Sequence, residues 1–183
     1  MAGDGDLIPV VLEVFANLFT NEVELHMFHT TDLSDEHPNL QYCAPIFRNF
    51  GGKTKFHGPI HTVSLFEDNV LYEEALESVA EGTVIVVDGG GSLSCALMGD
   101  RLGGIAVSRN LPGVIINGCV RDTAELAELD VAVLALAPHS KKSNKQGAGM
   151  RNPIINFGGV LWQPGFFVYG DEDGVILSEA PLL

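Results

Sequence analysis

Positive charge is scarce in this chain. Ten Lys and Arg stand against 24 Asp and Glu in 183 residues, a formal net charge of −14. A field of that sign repels phosphate backbones, which disfavours direct nucleic-acid binding. It also repels small acidic substrates, so an enzyme acting on them needs a cation at its site. Cysteine is scarce too. Cys43, Cys95 and Cys119 are an odd, scattered set that makes no disulfide framework, and they fit a reducing compartment such as the cytoplasm. Cys95 and Cys119 read as core residues rather than nucleophiles. Long apolar runs are lacking. Leu7 to Phe19 is interrupted by Pro9, Glu13 and Asn17 and is too short to cross a bilayer. Met1 to Asp6 carries two aspartates and no Lys or Arg, the reverse of a secretory or mitochondrial leader. Leu7–Phe19 reads as an amphipathic helix in an N-terminal extension, residues 1–29, ahead of a single domain over residues 30–183.

What is present is globular. Hydrophobic residues make up 46% and charged residues 19%. A chain of this length hides roughly 70% of its unfolded surface. Thr30-Thr31-Asp32 offers capping oxygens for a short helix through His37. Phe47–Lys53 reads as a loop with paired glycines. Lys55–Phe66 alternates as a strand with Gly58-Pro59 as a bulge or edge feature. Val70–Ala80 has helical spacing. Thr83–Val87 (TVIVV) is a β-branched run of the fully buried kind. Asp88-Gly-Gly-Gly-Ser92 ends it. The pattern then predicts a helical stretch from Leu93 to Met98, a break at Gly99, and resumption to Asn110. Val114–Ile116 is a second buried strand closed by Asn117-Gly118, Asp122–Leu129 a short helix, and Val131–Leu136 a third strand. Strand, helix, strand, helix, strand predicts an α/β fold with a parallel sheet and right-handed crossovers. Ser140–Asn152 reads as a mobile, locally basic loop holding Lys141, Lys142, Lys145 and Arg151. Four short strands follow, Ile154–Phe157, Val160–Gln163, Phe166–Tyr169 and Val175–Ser178, and suggest an additional antiparallel layer.

Three motifs could carry chemistry. The Asp88–Ser92 glycine run could cradle a phosphate with its amides. It fits neither G-x-G-x-x-G nor a P-loop, and a tight turn explains it better. Gly118-Cys119-Val120-Arg121-Asp122 lies at the carboxyl end of a parallel strand, where open sheets bind ligands. Arg121 offers a planar fork for a carboxylate and Asp122 a hard oxygen for Mg²⁺ or Mn²⁺. The same residues can be read as a capping box, Asp122-Thr-Ala-Glu125, which needs no metal. Gly99-Asp100-Arg101-Leu102 can open a helix and bind an anion, or can simply kink one with Asp100 as its cap. His57 and His61 are four apart, but on a strand they share no helical face and make a poor metal pair.

Together the segments TTDLSDEHP (30–38), PIFRNFGG (45–52), VVDGGGSLSCALMGD (86–100), VIINGCVRD (114–122), NFGGV (156–160) and YGDEDGVILS (169–178) resemble the RraA-like family. That family includes the regulator of ribonuclease activity A and the class II 4-hydroxy-4-methyl-2-oxoglutarate aldolases. Its aldolase members carry Asp, twenty residues, then Arg-Asp; here Asp100 is followed by residues 101–120 and by Arg121 and Asp122. The resemblance implies a swivelling β/β/α domain and a ring-shaped homotrimer that can double to a hexamer. It implies that the backbone of Gly99, Asp100, Arg101 and Leu102 binds a small 2-oxo acid, that Arg121 contacts it, and that Asp122 anchors a divalent cation largely through waters. Asp100 then positions the water that moves a proton. Retro-aldol cleavage and oxaloacetate decarboxylation share a pyruvate enolate, so one site can serve both. The competing expectation is a non-catalytic trimer that docks on a ribonuclease or RNA helicase. A third, a quinone-pathway methyltransferase, needs S-adenosylmethionine binding, which the glycine run does not support.

Overall fold

The computed structural model describes residues 28–183, and the Leu7–Phe19 helix expectation lies outside them. Twelve strands and four helices follow in chain order among the described residues. Helix α1 (Thr30–Glu36) leads to β1 (Gln41–Tyr42), β2 (Arg48–Asn49) and the long β3 (Phe56–Ser64). Then come α2 (Val70–Ser78), β4 (Val84–Asp88), β5 (Ala96–Met98), α3 (Asp100–Ser108), β6 (Gly113–Val120), α4 (Thr123–Leu126) and β7 (Ala132–Pro138). The tail holds β8 (Met150–Arg151), β9 (Ile155–Phe157), β10 (Val160–Trp162), β11 (Phe167–Gly170) and β12 (Val175–Ser178).

The main sheet runs β1-β12-β11-β3-β4-β6-β7-β2, with β5 beside β6 and β8 beside β3. Strands β3, β4, β6 and β7 are parallel, whereas β11, β12 and β1 extend the sheet antiparallel. Strand β3 joins the two regions: Phe56–Pro59 pair with β11, and Ile60–Ser64 with β4. Pro59 thus falls where β3 passes from one partner to the other, a place for a residue that cannot donate to a ladder.

Alternation explains why the parallel strands read as continuous apolar runs. Ile85, Val87, Val114, Ile116, Val133 and Ala135 face Tyr72, Leu76, Leu102, Ala106 and Leu126 on the helices. Val84, Val86, Ile115, Ala132 and Leu134 face the other way, onto Phe157, Trp162, Val168 and Leu177. Both faces are covered, one by helices and one by strands, which is the expected β/β/α layering with a parallel centre and an antiparallel layer. Trp162 is fully buried in the second core, and its indole N–H donates to the Phe157 carbonyl at 3.1 Å.

Several local expectations are corrected. Leu93–Met98 is not helical. Ala96–Met98 forms β5, buried on both sides and paired with β6, so tertiary pairing overrides helix propensity. Asn117-Gly118 does not close β6, which runs on to Val120 through an irregularity in its register with β7. Thr30 does not cap α1: His29 holds the cap position, and the Thr30 hydroxyl and amide both donate to the Asp171 carboxylate at 2.7 Å. Arg48-Asn49 is a short edge strand on β7 rather than loop. Segment 140–152 is not loose, being tied to the body at several points described below.

Candidate active site

The carboxyl ends of β5 and β6 and the start of α3 meet at one edge of the parallel strands. Strand β5 feeds directly into Gly99, which occupies the N-cap position of α3. No side chain caps this helix, so its first amides are open to an anion. Asp100 Oδ1 accepts from the Arg101 amide at 2.7 Å, which takes one of them. Asp100 is therefore the first helical residue rather than the cap of a kink. The Arg101 side chain turns away and forms a bidentate pair with Glu73, both contacts 2.7 Å. Only its backbone belongs to the site. Glu73 also takes Lys145 Nζ at 3.3 Å, and the Arg101 hydrogen bonds, ahead of the lysine's, hold its carboxyl down at about 2.

Strand β6 delivers the second half. The Arg121 amide donates to the Met98 carbonyl at 2.9 Å, which seats β6 beside the entrance to α3. Asp122 then adopts a left-handed backbone, φ 53°, rare for a non-glycine residue. The turn makes no side-chain cap on α4, so the capping-box reading does not hold. The Asp122 carboxylate instead folds back along its neighbour, accepting from Arg121 Nε at 3.2 Å. Both side chains are about two-fifths to one-third exposed, at 41% and 34%. Gly99 lies directly against the pair. A Cβ there would collide with Asp122 Oδ2 and come within 3.3 Å of Arg121 Nε. The missing side chain is what lets the helix start and the Arg-Asp turn approach.

These residues line one cleft of about 160 Å³ with Asn69, Leu97, Lys142, Ser143 and Lys145. The structure thus brings Gly99, Asp100, Arg101, Leu102, Arg121 and Asp122 together. A broader hollow of about 450 Å³, lined by Thr123, Pro138, His139 and Ser140, adjoins it across Arg121 and Asp122. A further cavity of about 460 Å³, around His57 and Tyr169, lies at the opposite ends of the strands and holds none of these groups. Among the described residues no group of three or more His, Cys, Asp or Glu could cage a metal. A lone, partly exposed carboxylate fits a hard divalent cation that keeps most of its waters. Mg²⁺ or Mn²⁺ is compatible with Asp122, and a structural Zn²⁺ site is not.

The other candidates fall away. The glycine run spends its amides internally: Gly89 and Gly91 donate to the Asn117 carbonyl at 3.1 Å and Gly90 to Asp88 Oδ1 at 3.0 Å. Gly90 and Gly91 have φ of 66° and 67°, the conformation a tight turn requires. Burial pushes the Cys95 and Cys119 thiols up, away from a reactive thiolate. His57 stacks on Tyr169 with ring centres 5.6 Å apart, and among the described residues neither it nor His61 belongs to a group of three or more His, Cys, Asp or Glu. Sequence reasoning missed Asp68, Asn69 and Glu73. Their only signal was an acidic-amide pair just ahead of an apolar helix. It registered Lys142 and Lys145 but not their place on the cleft.

A helix N-terminus, an arginine fork and a partly exposed carboxylate thus meet at the end of a parallel strand in an α/β protein. Comparison with known proteins agrees with that fold. The model of the family described as RraA-like (Aldolase/RraA) matches residues 30–177. A protein of Bacillus cereus (strain ZK / E33L), named as a candidate 4-hydroxy-4-methyl-2-oxoglutarate aldolase, is 53% identical over 157 residues, 85% of this chain and 99% of that one. The solved structure of an S-adenosylmethionine: 2-dimethylmenaquinone methyltransferase from Geobacillus kaustophilus HTA426 is 51% identical, with a TM-score of 0.83 over 85% of this chain and 97% of that one. The RNA-processing inhibitor RraA from Thermus thermophilis is 42% identical, with a TM-score of 0.83 over 85% and 95%. The chain belongs to the RraA-like family. Among the described residues no helix is long and apolar enough to cross a membrane.

Proposed function

We propose that this protein is a divalent-metal-dependent lyase that cleaves 4-hydroxy-4-methyl-2-oxoglutarate-type 2-oxo acids and decarboxylates oxaloacetate, in each case releasing pyruvate. The observation that carries this reading is the convergence of the uncapped start of α3, Arg121 and Asp122 on one cleft. The three relatives bear three different functional names, so the site has to decide. A methyltransferase reading needs a cofactor cradle, and the glycine run has no amides left to supply one.

The substrate's C1 carboxylate sits at the amides that open α3, where the helix dipole favours an anion. Arg121 fixes the adjacent 2-oxo group by charge-assisted hydrogen bonding. Asp122 would hold the cation, which supplies Lewis-acid stabilisation of the charge that gathers on the 2-oxo oxygen. In the aldol cleavage the C3–C4 bond breaks. Its electron pair moves through C2 onto that oxygen, and the C4 hydroxyl loses its proton as C4 becomes a carbonyl. Asp100 positions the water that takes this proton and returns one to C3 of the pyruvate enolate. With oxaloacetate the same bond breaks and CO₂ leaves, so no hydroxyl proton has to move. Arg121 stays close to the developing charge throughout, which is where a preorganised donor lowers a barrier most.

Assembly belongs to the same reading. Phe66, Leu93 and Met150 are more than half exposed. They lie on neighbouring stretches of chain, because Met150 pairs with Ser64 and Glu67 accepts from Ser92. Exposed apolar side chains of this kind suit a neighbouring subunit, and light scattering is expected to give three times the 19.6 kDa chain mass, or six.

The deciding assay measures pyruvate release from both substrates with Mg²⁺ or Mn²⁺, with chelator, and with Asp122→Ala. Chelator and substitution are each expected to lower the rate by about 10² or more. Equal rates in every arm would leave the non-catalytic regulator, the reading that the Thermus relative's name and the acidic surface favour.

A further inference from the structure

We propose that Asp68 is a positioning residue for the lysine-bearing wall of the cleft: its buried carboxylate sets segment 141–147 so that Lys142, Ser143 and Lys145 border the substrate. The identity of that substrate rests on the lyase reading; the geometry of the wall does not.

Segment 141–147 has almost no apolar side chain to hold it. Beyond the Lys145–Glu73 pair, its backbone is tied to distant parts of the chain at three places. The Lys141 carbonyl accepts from the Ala96 amide at 2.7 Å, on the approach to β5. The Asn144 amide donates to the Glu67 carbonyl at 2.7 Å. The Gln146 and Gly147 amides both donate to Asp68 Oδ2, the latter at 3.1 Å. Gly147 has φ 74°, the left-handed turn that brings two successive amides onto one oxygen. Asp68 Oδ1 accepts from the Val70 amide at 2.9 Å, at the start of α2. One carboxylate therefore staples a helix start to a loop 78 residues away.

Asp68 is only 2% exposed. Burying a carboxylate is costly unless its oxygens are satisfied, and here three N–H donors satisfy them. A structural turn on the surface would need no such group. The next residue does the matching task on the other wall: Asn69 Nδ2 donates to the Leu97 carbonyl at 2.7 Å and so holds the strand that runs into Gly99. Adjacent side chains thus hold two segments that both line the cleft.

The consequence is selectivity. In a protein of net charge −14, Lys142 and Lys145 place positive charge at the cleft beyond Arg121. A dicarboxylate has a second anionic end for that wall to read, and a monocarboxylate has none. Loosening the wall should therefore weaken dicarboxylate binding and spare both the chemistry and a monocarboxylate.

The test uses the full chain as Asp68→Ala and Asp68→Asn, each alone and in a Lys142→Gln/Lys145→Gln background. Amide exchange is read by mass spectrometry; kcat and KM are read for oxaloacetate with Mg²⁺, and pyruvate serves as competitive inhibitor. Exchange over residues 144–147 is expected to speed up about tenfold, with the parallel strands unchanged. KM for oxaloacetate should rise about tenfold while kcat and the pyruvate inhibition constant stay within about twofold. In the lysine-free background the Asp68 substitution should add nothing further to KM. Unchanged exchange, a fall in kcat at constant KM, equal losses for both ligands, or a full additional effect in that background would each overturn the proposal. Should Asp68→Ala fail to fold, Asp68→Asn keeps the volume and carries the comparison alone. No turnover by wild type would remove the lyase reading, and the exchange measurement would still uphold or overturn the clamp.

Discussion

Gly99 shows how much of this site depends on an atom that is absent. Its backbone is extended, φ −140°, so conformational freedom is not what the position requires. It requires room, since a Cβ would meet the Asp122 carboxylate and the Arg121 side chain. Both are side-chain groups that can swing aside, so Gly99→Ala should fold. Its melting temperature is expected within about 4 °C of wild type, the span of a single modest perturbation in a domain this size. Its kcat/KM should fall by about 10², because a shift of one ångström in a positioned group is enough to do so. A loss of stability matching the loss of activity would show that Gly99 serves the fold and not the site. Arg121 and Asp122 were visible in the sequence as residue types suited to an anion and a cation. What could not be read from it was the αL turn at Asp122, because an isolated Asp-Thr-Ala-Glu favours a helix cap. Only the packing of Gly99 against the turn decides between the two.

The elements were legible where burial repeats and obscure where it does not. Val84–Val87 and Ala132–Ala135 are buried on both faces, so a bare apolar run identified them without register. Strand β5 has three residues and no neighbours of its own type, so its local pattern looked like the helix that follows it. Segment 140–152 looked loose because the groups that tie it down, Asp68 and the Glu67 carbonyl, lie more than seventy residues earlier. The antiparallel layer was foreseen from its glycine-punctuated strands, and its central anchor makes it testable. Trp162 is fully buried, stacks on Phe157 at 5.1 Å and spends its N–H on the same strand pair. Trp162→Ala should destabilise the protein by about 3–5 kcal/mol in urea unfolding. The fraction that remains folded should keep its kcat, because the layer lies across the sheet from the helices and contributes nothing to the cleft. A specific loss of kcat would mean that this layer tunes the site through β3 and β4.

The whole molecule carries its acidity in two populations that respond oppositely to pH. Most of the 24 carboxylates contribute to a net charge of −14, whose mutual repulsion weakens as pH falls toward the isoelectric point of about 4.6. A smaller set holds the fold together. Asp68, Glu73 and Asp171 all have carboxyl groups shifted below their ordinary values. Arg101 and Lys145 hold Glu73 down, and the amides of Val70, Gln146 and Gly147 hold Asp68 down against the opposing effect of its burial. Thr30, Asp173 and Gly174 do the same for Asp171. A group depressed in the folded state binds protons more weakly there than in the unfolded chain. Its contribution is complete above its unfolded value, near 4, and is lost as pH falls through the folded one. Glu73 therefore keeps part of its effect down to about pH 2. The two populations together predict a broad optimum. Urea midpoints should hold or rise slightly from pH 7 to about 5, then fall steeply below pH 4, with added salt narrowing only the first difference. Glu73→Gln should flatten part of the acid limb while leaving the plateau shape above pH 5 unchanged. An acid limb identical in wild type and Glu73→Gln would show that the Arg101–Glu73–Lys145 cluster gives no pH-dependent stability, and that its pairing matters only for holding α3 and the lysine wall in place.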